Sequence, residues 1–251
     1  MSEVPDGAAL IVGGSGGIGT ALAAELSRRG RYQLLLSGQR GTGEVGLALN
    51  TPLERLFLDL EEPESLQEAA GLLRERLDES RLILRSLYIC SGILHAPDIR
   101  PERRIADLEA EAFERVLRIN ALGPLLIARH FLPLLPRQAP SRLAAISARV
   151  GSISDNHLGG WYSYRCSKAA LNMGFRTLQI ELARSHPQCV LTLFHPGTTA
   201  SALSEPFQAN VPPEKLFTPR RSAEQFCEVL GLRDHGELPL FADWAGQGID
   251  Y

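Results

Sequence analysis

An α/β fold built on a parallel sheet is predicted by three features of this chain. Short apolar runs alternate with longer segments of helical period along most of its 251 residues. Such alternation is typical of β-α-β units, whose helices cover both faces of a parallel sheet. Hydrophobic residues make up 44% of the chain, enough for a large core, and no low-complexity linker interrupts it. We therefore predict one domain with a doubly wound sheet of about seven strands and helices on both faces.

The apolar runs predict the strands, and the segments between them predict the helices. The predicted strands lie at residues 8–14, 32–38, 53–60, 84–92, 142–148, 189–197 and 238–243. The predicted helices lie at residues 17–30, 63–79, 107–135, 161–186 and 221–231. Pro63 favours a first helical turn, where no N–H is needed, and Gly30 favours a helix end. The proline-rich run over 205–219 predicts an irregular excursion before the last helix.

Composition and charge exclude several classes of function. The formal net charge is -3 and the arginines are dispersed among acids, so we expect no nucleic-acid partner. No apolar run approaches the roughly 20 residues of a membrane span. No basic region precedes the first apolar stretch, as it would in a signal peptide, so we expect a cytoplasmic protein. The four cysteines and six histidines show no metal-ligand spacing, and no metal site is expected.

A glycine-rich turn joins the first predicted strand to the first predicted helix. In the stretch IVGGSGGIG, Gly13, Gly17 and Gly19 are spaced as Gly-x-x-x-Gly-x-Gly. Glycines permit a tight turn and a close approach of the backbone to a pyrophosphate, which the helix N-terminus stabilises. Because a strand precedes the turn and a helix follows it, a Rossmann-type dinucleotide site is favoured over a turn without a ligand.

The end of the second strand indicates which dinucleotide binds. An NAD site usually offers an acid there for the ribose hydroxyls, whereas this chain has Gln39 and Arg40. A guanidinium suits the 2′-phosphate of NADP through paired hydrogen bonds. We therefore favour NADP over NAD, with a solvated surface arginine as the alternative.

One tyrosine of the stretch GGWYSYRCSKAALNM is a candidate acid. Tyr164 and Lys168 lie four residues apart, and therefore on one face of a helix. A nearby ammonium, together with the charge of an oxidised nicotinamide, is expected to lower the pKa of a phenol. Tyr162 has Cys166 at the same spacing, so it lacks this partner.

Taken together, the glycine loop and the Tyr-x-x-x-Lys motif resemble the short-chain dehydrogenase/reductase family over nearly the whole chain. The segments GSISDNHLGGWYSYRCSKAALNM and HPGTTASALSEPF are similar to its C-factor or sniffer-type branch, which includes carbonyl reductases and proteins described as signalling factors. The resemblance implies hydride transfer between NAD(P) and a carbonyl or alcohol, with a tyrosine, a lysine, a serine and an asparagine at the site.

The resemblance also assigns roles to individual residues. Asn120 matches the asparagine that holds a water for a proton relay through Lys168, and Asp59 matches the acid at the adenine edge. Pro196 and Gly197 match the segment that contacts the nicotinamide amide. The implied cofactor contacts are Gly13, Ser15, Gly17, Ile18, Gly19, Arg40, Asp59, Leu60, Ser91, Gly92, Tyr164, Lys168, Pro196, Gly197, Thr199 and Ser201.

The chain departs from the family pattern at the catalytic serine. The usual register at the end of the fifth strand falls on Ala148, and the usual distance before Tyr164 falls on Gly151. Ser147 and Ser152 flank these positions, and either is a candidate to polarise a carbonyl. We prefer Ser147, with the alternative that both serines only satisfy loop backbone. The family's Asn-Asn-Ala-Gly is replaced by ICSG at 89–92, where an apolar strand is expected to keep Cys90 inert.

The predicted function is an NADP-preferring oxidoreductase for a carbonyl or alcohol substrate, with residues 202–220 as a lid. Two alternatives are an NAD(P)-binding regulator without turnover and an epimerase or dehydratase, for which 251 residues leave little room. The charge run DIRPERR at 98–104 allows steering of an anionic substrate, although such a run is usually a solvated face. The helices at 107–135 and 161–186 either pair between subunits of a homo-oligomer or are covered internally.

Overall fold

Seven parallel strands form the central sheet of the computed structural model, which describes residues 7–41, 49–234 and 239–251. The strand order is β3-β2-β1-β4-β5-β6-β9, and each neighbouring pair is parallel. These strands are β1 (Ala8–Val12), β2 (Leu34–Gln39), β3 (Leu53–Phe57), β4 (Leu84–Ile89), β5 (Ser141–Ile146), β6 (Cys189–His195) and β9 (Phe241–Asp243). The order reverses between β1 and β4, which is where open α/β sheets bind their ligands. The predicted fold is confirmed.

Six helices cover the sheet in the described part of the chain. They are α1 (Gly17–Arg29), α2 (Pro63–Ser80), α3 (Ala110–Leu117), α4 (Gly123–Phe131), α5 (Tyr162–Ser185) and α6 (Pro219–Asp234). Alternate residues of β1 enter two separate cores. Leu10 and Val12 join the core beneath α2, α4 and α5, while Ala9 and Ile11 join the core beneath α1 and α6. None of the described helices has both the length and the apolar character to cross a membrane.

The predicted helix at 107–135 is interrupted. A π-turn (Arg118–Leu122) separates α3 from α4, and short 3-10 turns flank the pair at Ile105–Asp107 and Leu132–Leu134. Pro124 in the first turn of α4 has no N–H to donate to the carbonyl four residues before it. The regular helical ladder therefore fails at Asn120, and π-turns of this kind often mark functional sites.

Five of the seven predicted strands are too long at their carboxyl ends, while β2 and β9 are not. For example, β4 ends at Ile89 rather than at residue 92, and β6 ends at His195 rather than at residue 197. The residues beyond these ends form loops at one edge of the sheet. Residue 238, at which the seventh strand was predicted to begin, lies outside the described residues, and β9 starts at Phe241.

The predicted irregular segment before the last helix contains local structure. Two short strands, β7 (Thr198–Thr199) and β8 (Leu216–Phe217), pair in parallel. Between them lie 3-10 turns at Glu205–Asn210 and Pro213–Lys215. The pairing of β7 with β8 fixes both ends of this segment beside the carboxyl edge of the sheet.

Candidate active site

A first cavity of about 310 Å³ opens at the switch point between β1 and β4. Gly13 has a φ of 78°, and a Cβ built on it would lie 2.7 Å from the backbone nitrogen of Ser91. Only a glycine permits this approach. The hydroxyl of Ser91 is buried without a hydrogen-bond partner among the described residues, which fits a ligand hydroxyl or phosphate oxygen. The cavity thus has the shape and the free polar group that a bound nucleoside needs.

The predicted cofactor residues divide between this cavity and a second one. The first cavity is lined by Gly13, Ser15, Arg40, Asp59, Leu60, Ser91 and Gly92. A second cavity of about 750 Å³ is lined by Gly17, Ile18, Ser91, Gly92, Tyr164, Lys168, Pro196, Gly197, Thr199 and Ser201. Gly19 lies in the first turn of α1 and lines neither. The two cavities share Ser91 and Gly92, so one extended ligand can occupy both.

Arg40 lies at the rim of the first cavity within a network of charges. It is 62% exposed, and its guanidinium contacts Asp59 at 3.3 Å and Glu61 at 3.0 Å. Arg115 contacts the same Glu61 carboxylate at 2.8 Å. Arg115, with a smaller contribution from Arg40, holds the pKa of Glu61 below its ordinary value. Sequence reasoning missed Glu61, which already partners the arginine assigned to a 2′-phosphate.

Tyr164 and Lys168 share one face of α5, and both are buried. The Lys168 ammonium lies 5.7 Å from the centroid of the Tyr164 ring and donates to the carbonyl of Ile146 at 3.0 Å. Burial lowers the pKa of Lys168 to about 8 and raises the pKa of Tyr164 above its ordinary value. The expected lowering of the tyrosine pKa is therefore not produced by the protein groups, because desolvation of the phenol outweighs the ammonium.

Asn120, in the π-turn, is fully buried beside this pair. Its side chain accepts from the backbone N–H of Ile93 at 2.8 Å and donates to the Ile93 carbonyl at 2.7 Å. A Cβ built on Gly92 would lie 3.3 Å from the Asn120 amide oxygen and 3.7 Å from the Lys168 ammonium. Asn120 and Lys168 therefore converge on the same point of the β4 loop.

Neither serine of the 147–152 loop offers a free hydroxyl to the second cavity. Ser147 lines this cavity, but it is 1% exposed and its hydroxyl donates to the Asn172 amide oxygen at 2.6 Å. Ser152 does not line the cavity, and its hydroxyl accepts from the backbone N–H of Asp155. Ala148, at the usual serine register, does line it. The preference for Ser147 as the group that polarises a carbonyl is therefore not supported by its contact, because its proton is already used within the protein.

His195 is a lining residue whose importance the sequence did not indicate. It ends β6, the strand next to the one that leads to Ala148. Its Nδ1 is buried without a hydrogen-bond partner in the described chain. Burial lowers the pKa of His195 to about 4, so the imidazole is neutral at pH 7. Similarly, burial raises the pKa of Cys90 to about 12, as expected for an inert thiol, although Cys90 directly follows β4 rather than lying within it.

A left-handed turn positions the aromatic wall of the second cavity. Gly159, Gly160 and Trp161 have φ values of 66°, 65° and 53°, the last uncommon for a residue with a side chain. Arg165 of α5 donates to the carbonyl of Gly160 at 2.9 Å and to that of Gly159 at 3.1 Å. The backbone N–H of Trp161 donates to the carbonyl of Glu102 at 2.6 Å. These contacts hold Trp161 in its strained conformation at the start of the helix that carries Tyr164.

Trp161 packs on Tyr164 of α5 and on Phe207 of the 202–220 segment. Its ring lies 6.2 Å from Tyr164 and 5.0 Å from Phe207, between ring centroids. His95 packs on Phe207 at 6.0 Å, and its Nε2 lies 3.0 Å from the carbonyl oxygen of Ala202. Ala202 and Phe207 both belong to the predicted lid. The segment thus lies over the second cavity, to which it contributes Ala202, Leu203, Ser204, Pro206, Phe207 and Val211.

The chain is similar in sequence and in structure to known proteins. The chain is 31% identical over 157 residues to the 1-hydroxy-2-glutathionyl-2-methyl-3-butene dehydrogenase of Rhodococcus sp. (strain AD45), a match that covers 62% of this chain and 64% of that protein. It is 39% identical over 103 residues to C-signal of Myxococcus xanthus, covering 41% of this chain and 60% of that protein. Both matches span less than two thirds of the relative's length. The match to C-signal agrees with the C-factor or sniffer-type branch that the two sequence segments indicated.

A solved structure matches almost the whole chain. It is a short-chain dehydrogenase/reductase from Burkholderia multivorans with bound NADP, 26% identical, with a TM-score of 0.77 and coverage of 98% of this chain and 100% of that one. The family model described as short chain dehydrogenase matches residues 7–212, which contain the glycine loop, Asn120, Tyr164 and Lys168. By this match and this site, the chain belongs to the short-chain dehydrogenase family.

Proposed function

We propose that the protein is an NADP-dependent oxidoreductase that reduces a carbonyl group to an alcohol, with Tyr164 as the proton donor. The observation that carries this proposal is that Tyr164 and Lys168 line the cavity that continues from the glycine loop, with the Asn120 side chain bound to the loop at Gly92 and Ile93 beside them. The related Burkholderia multivorans structure holds NADP. The Rhodococcus relative is named as a dehydrogenase, which supports the same class of reaction.

The residues of the two cavities fit a dinucleotide. The glycine loop and the N-terminus of α1 offer backbone N–H groups to a pyrophosphate, and the Ser91 hydroxyl is free for a ribose oxygen. Arg40 would contact a 2′-phosphate, in place of or in addition to Asp59 and Glu61. When bound, the nicotinamide supplies the hydride for the carbonyl carbon.

The protein's own groups then supply the proton that the carbonyl oxygen takes up. The carbonyl oxygen, which gains charge as the hydride arrives, takes the proton of the Tyr164 hydroxyl. Because burial raises the pKa of Tyr164, the phenol is protonated at neutral pH, as reduction requires. Lys168, with a pKa of about 8, exchanges a proton readily near neutral pH and can return one to the phenolate. Asn120 holds the β4 loop against this pair, and the family resemblance implies that it also holds a water for a proton relay through Lys168.

Turnover with two nicotinamide cofactors tests the proposed function. We expect the purified protein to oxidise NADPH in the presence of 1-phenyl-1,2-propanedione and to form the hydroxyketone, with NADH a poorer donor. NADPH that binds and changes fluorescence without any oxidation would instead favour the NAD(P)-binding regulator, for which the alanine at position 148 is the supporting feature.

Arg40→Ala tests the cofactor preference. We expect it to weaken NADPH binding by roughly tenfold or more while NADH binding changes little, because only the former carries the 2′-phosphate. Arg115→Ala, which removes the other partner of Glu61, is the matched control. Equal losses for both cofactors would place Arg40 in a purely structural network.

A further inference from the structure

The loop 98–104 is attached to the helix that carries Tyr164. The Glu102 carboxylate is 4% exposed and accepts from the backbone N–H of Ser163, at 3.2 Å to one of its oxygens, and from the Ser163 hydroxyl. The Glu102 carbonyl accepts from the N–H of Trp161, as described above. The position of the next residue, Arg103, is therefore fixed relative to Tyr164 by contacts on both sides of the Glu102 peptide.

The Arg103 guanidinium has no partner within the described ranges, unlike the guanidinium groups of Arg104 and Arg149. Arg104 pairs with Asp107 at 3.0 Å, and Arg149 pairs with Asp243 at 2.9 Å. The Lys168 ammonium donates to a carbonyl. In the described part of the chain, the hydrogen bond that Arg103 makes to a side chain comes from its backbone N–H, which donates to the Asp107 carboxylate. Its charge remains available to a ligand.

Arg103 also lines the second cavity, where it meets the aromatic wall. The charged residues among the described lining are Arg103, Arg149 and Lys168, and none is an acid. Trp161 and Phe207, whose rings are 5.0 Å apart, line the same cavity. Within the described lining of this cavity an anion meets no carboxylate, and an apolar or aromatic body attached to it packs on the two rings. Arg103, Trp161 and Phe207 also line an adjacent cavity, whose acids are Asp98, Glu102, Asp107 and Glu109.

We propose that Arg103 binds an anionic group of the substrate, so that the site takes carbonyl compounds with an aromatic or apolar body and a carboxylate at the end away from the carbonyl. The inference rests on the proposed function, since it assigns a substrate class to the same cavity. The guanidinium recognises a carboxylate through paired hydrogen bonds, while the fixed loop sets the distance from this anchor to Tyr164.

Two substrates of similar shape test whether the negative charge of the substrate is recognised. The probes are 4-formylbenzoate and its methyl ester, which carry the same aldehyde and ring and differ in charge. We expect the wild type to prefer the carboxylate in kcat/KM by about tenfold, and added salt to reduce only that preference. Arg103→Ala should lower kcat/KM for the carboxylate by about tenfold, to that of the ester, and so remove the preference.

Arg104→Ala is the matched control, because Arg104 is the adjacent residue, is paired with Asp107 and does not line the second cavity. We expect it to retain the wild-type preference. Equal kcat/KM for acid and ester in the wild type, or the same change in both arginine variants, would overturn the proposal.

A binding measurement reports on the anion site without turnover. The product 4-(hydroxymethyl)benzoate should quench the fluorescence of Trp161 in the wild type and in Arg104→Ala, and much less in Arg103→Ala. Trp161→Phe assigns the signal, since Trp244 is the other tryptophan of the chain. Absence of quenching in the wild type overturns the anion site. Quenching without NADPH oxidation overturns the proposed reductase and leaves the anion site standing.

Discussion

At the scale of single residues, Ala148 is the main departure from the proton-transfer site that the family resemblance implies. The neighbouring Ser147 hydroxyl donates to Asn172, so it stabilises the packing of β5 on α5 rather than a substrate oxygen. In the proposed reaction, Tyr164 is then the one donor to the carbonyl among the catalytic residues predicted from the sequence, one donor fewer than expected.

Restoring a hydroxyl at position 148 is expected to raise activity. We predict that Ala148→Ser increases kcat by roughly tenfold, because a second donor to the developing oxyanion contributes on this order or more. Ala148→Val, which adds bulk without a donor, is the control and should lower kcat. Steady-state kinetics with 1-phenyl-1,2-propanedione measures both, and an unchanged kcat in Ala148→Ser would show that the loop holds position 148 away from the carbonyl.

Removing the Ser147 hydroxyl is expected to affect stability more than catalysis. Ser147→Ala leaves the buried Asn172 amide oxygen without its donor, which costs about 1–3 kcal/mol in the free energy of unfolding. Urea denaturation measures this cost. A loss of kcat of two orders of magnitude or more with unchanged stability would instead return the catalytic role to Ser147.

Lys168 gives the protein a pH-dependent stability. Burial lowers its pKa to about 8 in the folded state, below the ordinary value of 10.5 in the unfolded chain. The cost of burying the ammonium is thus full below pH 8 and is lost as pH rises towards 10.5. We predict that Lys168→Met is more stable than the wild type at pH 7, by on the order of 2 kcal/mol after the loss of one hydrogen bond, with the gain shrinking by pH 10.

Urea unfolding at the two pH values measures this effect. The control is Lys215→Met, which changes the only other lysine, an exposed residue. A stability difference for Lys168→Met that does not vary with pH would mean that the folded protein does not lower the pKa of Lys168.

At the scale of elements, the start of α5 depends on a contact between distant parts of the chain. The Glu102 carboxylate is bound to Ser163, and the left-handed Trp161 lies between the two. We predict that Glu102→Ala lowers the free energy of unfolding by about 1–3 kcal/mol, since it leaves buried donors unsatisfied. Glu102→Ala should also raise KM for the carbonyl substrate more than it lowers kcat, because Trp161 and Arg103 lose their fixed positions.

Glu102→Gln separates positioning from charge. The amide keeps an acceptor for Ser163. We therefore expect KM to fall most of the way back to the wild-type value, and the Trp161 emission spectrum to return towards that of the wild type. If Glu102→Ala lowers stability but leaves KM and the emission spectrum unchanged, Glu102 only stabilises the fold.

The sequence predicts the existence and type of the main elements, because apolar period and glycine or proline placement are local signals. The π-turn at Asn120 was not predicted, since helical period continues across it and only Pro124 marks the break. The link between Glu102 and Ser163 was also missed, because a contact over 61 residues leaves no local pattern and the charge run resembles a solvated face.

At the scale of the whole molecule, the motifs predicted where the site lies better than what each group does. Strand order brings the glycine loop, the β4 loop and α5 to one edge of the sheet, as the β-α-β pattern implies. Pairings across that edge bear on individual assignments: the Ser147 hydroxyl donates to Asn172, and Arg40, still assigned to the 2′-phosphate, also pairs with Glu61. The alternatives of subunit pairing or internal cover for the helices predicted at 107–135 and 161–186 stay open, and the cytoplasmic location stays a prediction from the sequence.

The central claim is that this fold transfers a hydride to a carbonyl with Tyr164 as the acid. The most direct measurement follows deuterium from C4-deuterated NADPH into the hydroxyl-bearing carbon of the product of 1-phenyl-1,2-propanedione, in the wild type and in Tyr164→Phe. We predict transfer by the wild type and a rate at least about 100-fold lower in the variant, with NADPH binding retained. A wild type that binds NADPH without transferring deuterium, or a variant as fast as the wild type, would contradict the claim.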